Sequence, residues 1–298
     1  MVFRRESLLD IIAYLERELA LAPSVAIRVL DPDRGRGAYA GELVDDHVHR
    51  PFRVWVDLAE RLGLRLLTPR AVDAPLVELR FERLDPDARL RPSGEPTERY
   101  GAASEFARIS KHEDPGFVLD LRDALDRVAL EPGARVLDLG VNTGDELALI
   151  LALCPQLPAS SLTGVDHSAS AIAVARTRFP EATLIEADLS TLRTTVRYDL
   201  VISIGTLQSP GIDDREVVRR IVQDHLAPDG AVILGFPNCR YVDGETEYGT
   251  RMKNFRQPEL GLLVKDVAFY RKYLQQHGRQ VFVTGKTYVL VTATRSPA

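Results

Sequence analysis

RVLDLGVNTGDE, residues 135 to 146, decides the fold. Val136, Leu137 and Leu139 form a short buried strand, and Gly140 and Gly144 stand at turn positions where a Cβ would obstruct. Asp145 and Glu146 fall in the first turn of the helix that follows, where the N-terminal dipole favours negative charge. A strand–turn–helix of this kind brings backbone N–H groups and a small-residue surface up against a ligand. Asp138, at the end of the strand, selects among ligands. A phosphate cradle avoids a carboxylate beside its turn, whereas a ligand carrying an ammonium group or hydroxyls accepts one. The stretch therefore points to a cationic ligand over a dinucleotide, and the G-x-G-x-x-G spacing of dinucleotide-binding turns is absent.

Outward from this turn, strands and helices alternate. Leu162–Val165, Thr183–Glu186, Leu200–Ile204 and Ala231–Phe236 read as strands, and Glu146–Leu153, Ala169–Phe179 and Asp213–Leu226 as helices. Such alternation implies parallel pairing with right-handed crossovers, an α/β doubly wound sheet. After a helix around Val264–Gln276, two β-runs between Val281 and Thr294 meet at Gly285–Lys286, a hairpin that makes the last strand antiparallel. Residues 131–298 are read as this core. Residues 96–130 read as cap or linker helices, with Phe117, Leu121, Ala124, Leu125 and Val128 on one stripe. Residues 1–95 follow a different pattern: Leu8, Ile11, Ile12, Leu15 and Leu19 at helical spacing, then Val77, Leu79 and Phe81 alternating with charges. That region is expected to be a small N-terminal α+β accessory domain, ending in the Pro-rich segment Asp85 to Glu98.

The 298 residues are 45% hydrophobic and 27% charged, as in ordinary globular proteins, and no apolar run approaches a membrane span. The N-terminus alternates charge and apolar residues at helical spacing, unlike a secretory signal. Cys154 and Cys239 lie outside any C-x-x-C pattern, so neither a disulfide framework nor a zinc site is expected, and a cytoplasmic location is the default reading. The net charge of −5 counts against nucleic acid as a partner. The segment DDHVHR (Asp45, Asp46, His47 and His49 among its residues) offers metal-ligand types, but no second cluster completes it and it reads as an exposed loop, so no metal is expected.

Five stretches, in order, resemble the motifs of the class I S-adenosylmethionine-dependent methyltransferase family: LDLGVNTG, VDHSASAI, EADLS, YDLVISIGTLQ and LAPDGAVILGF. The resemblance covers roughly Tyr100 to Thr294. It implies a seven-stranded Rossmann-like sheet and S-adenosyl-L-methionine as cofactor. By position, Asp138 would serve the cofactor's ammonium group, with Gly140, Asn142 and Gly144 forming the loop. Asp166, with His167 beside it, would accept the ribose hydroxyls. Asp188 would accept an adenine N–H while Leu189 covers the ring, and Ser203 and Gly205 would end the fourth strand against the ligand. Asn142 departs from the family, which commonly has glycine there; asparagine tolerates left-handed backbone better than other non-glycine residues.

In an open α/β sheet the acceptor belongs beyond the carboxyl ends of the strands. Thr206 and Gln208 after the fourth strand, and Asn238, Arg240 and Tyr241 after the fifth, are the catalytic candidates. Methyl transfer to an activated electrophile asks mainly for alignment, and Arg240 and Tyr241 suit orientation of an anionic or hydroxylated acceptor. Amino-methylating members of the family carry an Asp/Asn-Pro-Pro-aromatic motif where this chain has IGTLQSP, which disfavours a planar amine. Cys239 reads as an inert small hydrophobe. The long polar stretch Tyr241 to Phe255, with Tyr248, Arg251, Lys253 and Asn254, is expected to grip substrate. The stretch Tyr100 to Asp114, with Phe106, Lys111, His112 and Glu113, lies where the family closes over the cofactor. The expected function is methyl transfer to a polar small-molecule acceptor. The alternatives are RNA, which would need a basic face, and a non-catalytic cofactor-binding scaffold.

Overall fold

The computed structural model describes residues 1–248 and 260–295. Two compact units divide the chain: residues 1–89 with 241–247, and residues 90–240 with the described residues from 248 onward.

In the first unit, helix α1 (Leu8–Leu21) opens on a reciprocal cap: the Asp10 N–H donates to Ser7 Oγ at 3.1 Å and the Ser7 N–H to Asp10 Oδ2 at 2.9 Å. Its buried stripe is Ile11, Leu15 and Leu19. Strands β1 (Ser24–Leu30), β2 (Leu43–Val44) and β3 (His47–Val48) precede helix α2 (Phe52–Leu62), and β4 (Leu64–Leu66), β5 (Arg70–Ala71) and β6 (Leu76–Arg83) follow it. Strand β6 pairs antiparallel with β1, β4 and β5. Its alternation turns Val77, Leu79 and Phe81 inward against Trp55, Leu58 and the α1 stripe. Asp45 and Asp46, both at positive φ, make the β2–β3 turn, and their carboxylates meet Arg34 and Arg5. His47 and His49 are buried, so this segment is a folded hairpin with a covered face, not an exposed loop.

In the second unit, helix α3 (Pro115–Val128) is capped by Asp114, whose Oδ1 accepts the Phe117 N–H at 3.1 Å. There follow β7 (Val136–Leu139), α4 (Asp145–Leu153), β8 (Leu162–Asp166), α5 (Ala169–Arg178), β9 (Thr183–Glu186), β10 (Tyr198–Ile204), α6 (Asp214–Arg220) and β11 (Leu226–Pro237). Next along the chain come β12 (Cys239–Val242) and β13 (Glu245–Tyr248), of which residues 241–247 belong to the first unit, and then α7 (Leu260–Gln276), β14 (Arg279–Thr284) and β15 (Tyr288–Arg295). The seven-stranded sheet runs β14-β15-β11-β10-β7-β8-β9. Pairing is parallel from β11 to β9, and β15 lies antiparallel between β11 and β14, as the closing hairpin requires. Helix α6 continues as a π-helical turn over Ile221–His225, so the helical run stops one residue short of the predicted Leu226, which is paired with Tyr198 and must be extended. Strand order reverses between β7 and β10. This is the topological switch point of an open sheet, where the crevice beyond the strand ends takes a ligand.

The units differ from the divisions read off the sequence. The first ends at Arg89, not 95, and it gains residues 241–247 from what was read as a continuous core of 131–298. The Asp243 N–H donates to the Ala88 carbonyl at 3.1 Å, and Arg65 pairs with Asp243 and Glu245 at 3.3 and 3.2 Å. Two strands of four residues each carry no periodicity of their own, so only these long-range bonds assign them. Arg251, Lys253 and Asn254 lie outside the described residues. Among the described residues no helix is long and apolar enough to cross a membrane.

Candidate cofactor and active site

The turn after β7 is built by two glycines and one asparagine. Gly140 has φ +87°, and a Cβ there would collide with the Thr206 side chain; at Gly144, φ +91°, it would meet the Phe179 ring. Asn142 has φ +47°, in the left-handed region that asparagine tolerates. Both polar ends of its side chain are engaged. Oδ1 accepts the Thr143 N–H at 2.8 Å and Nδ2 donates to the Tyr100 carbonyl at 2.6 Å, while its backbone N–H donates to Asp166 Oδ2 at 2.9 Å. The residue that broke the sequence pattern thus ties the turn to β8 and to the segment before α3. Glu98 holds that segment in turn: its carboxylate accepts Ser168 Oγ at 3.0 Å and the Ser170 hydroxyl at the N-terminus of α5.

Asp138 is 1% exposed, and neither carboxylate oxygen has a hydrogen-bond partner. Burial pushes this carboxyl well above the usual carboxylate range, and the Glu146 charge pushes it further, while Lys111 pulls the other way. Glu146, on the first turn of α4, is equally buried; its Oε1 pairs with Lys111 Nζ and its Oε2 has no partner. Burial works to lower the Lys111 ammonium, but the charge and hydrogen bond of Glu146 outweigh it and hold it above the ordinary lysine value. His112 Nε2 donates to the Asp145 carbonyl at 2.9 Å, so the one-turn helix Lys111–Glu113 sits on the start of α4.

Asp166, half-buried at the end of β8, accepts one backbone N–H on each oxygen, from Asn142 and from Ser168, both at 2.9 Å. Each oxygen keeps one lone pair. His167 beside it is exposed. Asp188 is exposed after β9, and its carboxyl is held below the ordinary value, first by the Ser190 hydroxyl and then by the Ser190 N–H at 2.7 Å. Leu189 packs half-buried on the core. The loop from 188 to 192 is held from beneath by Arg220, which donates to the Ser190 carbonyl at 2.7 Å, the Leu189 carbonyl at 3.0 Å and the Leu192 carbonyl.

At the end of β10, Ser203 is fully buried and donates to the Leu139 carbonyl at 2.9 Å. Its hydroxyl braces the two strands that flank the switch point, a role different from the ligand contact the sequence pattern implied. Gly205 has φ +74° with Pro237 opposite, and Thr206 lies against Gly140. Gln208 is 3% exposed, with both amide atoms buried and unpartnered. After β11, Asn238 donates through Nδ2 to the Lys286 carbonyl at 3.2 Å, and its Oδ1 is buried without a partner. Arg240 and Tyr241 are neighbours within β12, but the division between the units falls between them, so the two candidates belong to different units.

Residues 136–230 match the methyltransferase domain family. From β7 into the start of β11, the chain is therefore similar to methyltransferase domains. Among curated relatives, a trans-aconitate 2-methyltransferase of Escherichia coli O1:K1 is 36% identical over 175 residues, 56% of this chain and 64% of its own length. One from Azoarcus sp. strain BH72 is 31% identical over 116 residues, 39% of this chain and 44% of its own. The chain thus spans about half to under two thirds of these relatives. A solved magnesium protoporphyrin IX methyltransferase from Synechocystis PCC 6803, with S-adenosylmethionine bound, is 21% identical over 60% of this chain and 78% of its own, at a TM-score of 0.42.

The family's cofactor fits what the chain presents. It carries an ammonium, a ribose diol and an adenine amino group. A buried carboxylate with two orphan oxygens is costly until a charged donor meets it, and an ammonium brings three N–H donors. Two charged residues missing from the sequence reading of the site, or placed there only at a helix N-terminus, change status here: Glu146 is buried beside Asp138, and Arg220 is buried under the loop from 188 to 192. Helix periodicity alone marks Glu146 as a dipole partner and Arg220 as a solvated end.

Proposed function

We propose that the second unit binds S-adenosylmethionine at the switch point and transfers its methyl group to a small acidic molecule. Asp138 takes the ammonium group, Asp166 the ribose hydroxyls and Asp188 the adenine edge. Gly140, Asn142 and Gly144 give the backbone its close approach, and His167, Leu189 and Gly205 border the ligand. The cofactor supplies a methyl group already activated for displacement. What the chain must add is alignment and exclusion of water. Thr206, Gln208 and Asn238 are neutral donors and acceptors, so they orient an acceptor and do not deprotonate it. An acceptor that is already an anion at neutral pH, such as a carboxylate, needs no base, and Arg240 in β12 is a cation that follows the end of β11.

The observation that carries the reading is the buried Asp138 carboxylate with both oxygens unpartnered. The curated relatives, named for trans-aconitate, favour an organic acid as acceptor. Surface arginines paired with acids, among them Arg28 with Glu78 and Arg219 with Glu216, weigh against RNA. The test has two parts. Calorimetry with S-adenosylhomocysteine is expected to show binding that Asp138→Ala weakens. A labelled-cofactor screen of organic acids beside bulk tRNA is expected to label an acid, and label in tRNA alone would refute the acceptor class.

A further inference from the structure

Three buried oxygens crowd the start of α4 without a partner: both of Asp138 and Oε2 of Glu146. Among the described residues, Lys111 is the cation that meets this cluster, and it bonds Glu146 through Oε1. With Asp138 ionised the group carries two negative charges against one positive. A second carboxylate on this cluster is more than an ammonium-binding acid requires, and a lysine directed at it from outside the sheet is unexplained by the fold. Lys111 belongs to a one-turn helix held to α4 by His112 on the Asp145 carbonyl, and its Nζ lies 6.0 Å from the Tyr288 ring centroid. Its side chain is 23% exposed, whereas that of Glu146 is 1% exposed, so the lysine forms the open side of the cluster and the carboxylates its floor.

Resting on the S-adenosylmethionine reading above, we infer that Lys111 and Glu146 form a charge clamp for the amino-acid end of the cofactor. Glu146 joins Asp138 in accepting the ammonium, and Lys111 takes the carboxylate. The methionyl group is a zwitterion, so an acid pair alone would repel its carboxylate. Lys111 spends one of its three N–H donors on Glu146 and has two left for a second oxygen anion. The Lys111–Glu146 pair keeps the site closed to bare anions until the ammonium arrives to share Glu146.

The test separates the two ends of the ligand. Calorimetric titrations use S-adenosylhomocysteine, its decarboxylated analogue, which keeps the ammonium, and 5′-methylthioadenosine, which has neither charge. Wild-type protein should prefer S-adenosylhomocysteine to the decarboxylated analogue by about 10- to 100-fold, the worth of one charge-assisted hydrogen bond. Lys111→Met should bring that ratio close to one and leave methylthioadenosine binding unchanged; Lys111→Arg should restore most of the preference. Glu146→Gln should reduce the preference for the decarboxylated analogue over methylthioadenosine. Lys111→Met strips a buried carboxylate of its partner, so if it does not fold the Lys111→Met/Glu146→Gln double variant, which removes both charges, carries the same comparison. If Lys111→Met weakens all three ligands equally, or leaves the ratio at its wild-type value, the clamp is wrong. If wild-type protein binds all three alike, the clamp fails while the nucleoside reading stands. If it binds none of them, the cofactor reading falls as well.

Discussion

Replacing Asp138 with asparagine keeps the shape of the side chain and removes its charge, and the two consequences have opposite signs. In the free protein the Asp138 carboxyl sits well above the ordinary range, because of burial and then of Glu146. A group raised in this way favours folding when protonated. As pH climbs from the ordinary carboxylate value through the raised one, the unfolded chain ionises first and stability is lost. Asparagine does not titrate. The variant should therefore match wild type at acid pH and exceed it at pH 8, with the gap opening across that window. A buried charged group without a partner costs about 1–3 kcal/mol or more. At roughly 2–4 °C per kcal/mol for a unit of this size, the rise in Tm is about 2–12 °C. The asparagine amide is itself buried, which trims the gain to the lower half of that range. On the binding side the ammonium loses a charged acceptor, a loss of about 1.5–3 kcal/mol or roughly 10- to 150-fold in affinity. Thermal unfolding at pH 5 and pH 8, beside calorimetry with S-adenosylhomocysteine in buffers of different ionisation enthalpy, reads both. Wild-type affinity should rise with pH over the same window, with proton release on binding below the raised value, and the variant should show neither. A variant that binds as tightly as wild type, or is less stable at pH 8, refutes the reasoning.

Other expectations follow from single contacts. Asn142→Ala loses the bonds to Tyr100 and Thr143 and places a Cβ-bearing residue at φ +47° without a polar side chain, so it should lose about 1–3 kcal/mol in urea unfolding, and Asn142→Gly distinctly less. Equal losses would mean the left-handed backbone is immaterial. Arg220→Met deprives three loop carbonyls of their donor and should weaken 5′-methylthioadenosine as much as S-adenosylhomocysteine, since the loop it holds carries Asp188 and not the methionyl site. A selective effect on the methionyl end would contradict that placement. Ser7→Ala removes the α1 cap and should cost about 1 kcal/mol, seen as faster amide exchange in the first unit with the exchange of β7 and β10 unchanged.

Much of the fold was legible because the relevant information is local. The four buried residues of β7, the glycine turn and the alternation in β6 record which face of each element is apolar. The closing hairpin was readable from Gly285 between two β-runs. The β12–β13 excursion was not, because short polar strands have no pattern and its membership rests on Arg65 and Ala88, more than 150 residues away in the chain. Likewise Ser203 looked like a ligand contact until its hydroxyl was found on Leu139.

The sequence by itself determined the strand–turn–helix and the order of acids at strand ends, since apolar periodicity and turn chemistry act between near neighbours. Only the tertiary structure decided what each acid faces. Asp138, Asp166 and Asp188 look alike as letters, but one is buried and unpartnered, one is held by two backbone N–H groups, and one is exposed and readily ionised. The energy of a charge is set by everything within several ångströms of it, and that neighbourhood is assembled from segments far apart in the chain.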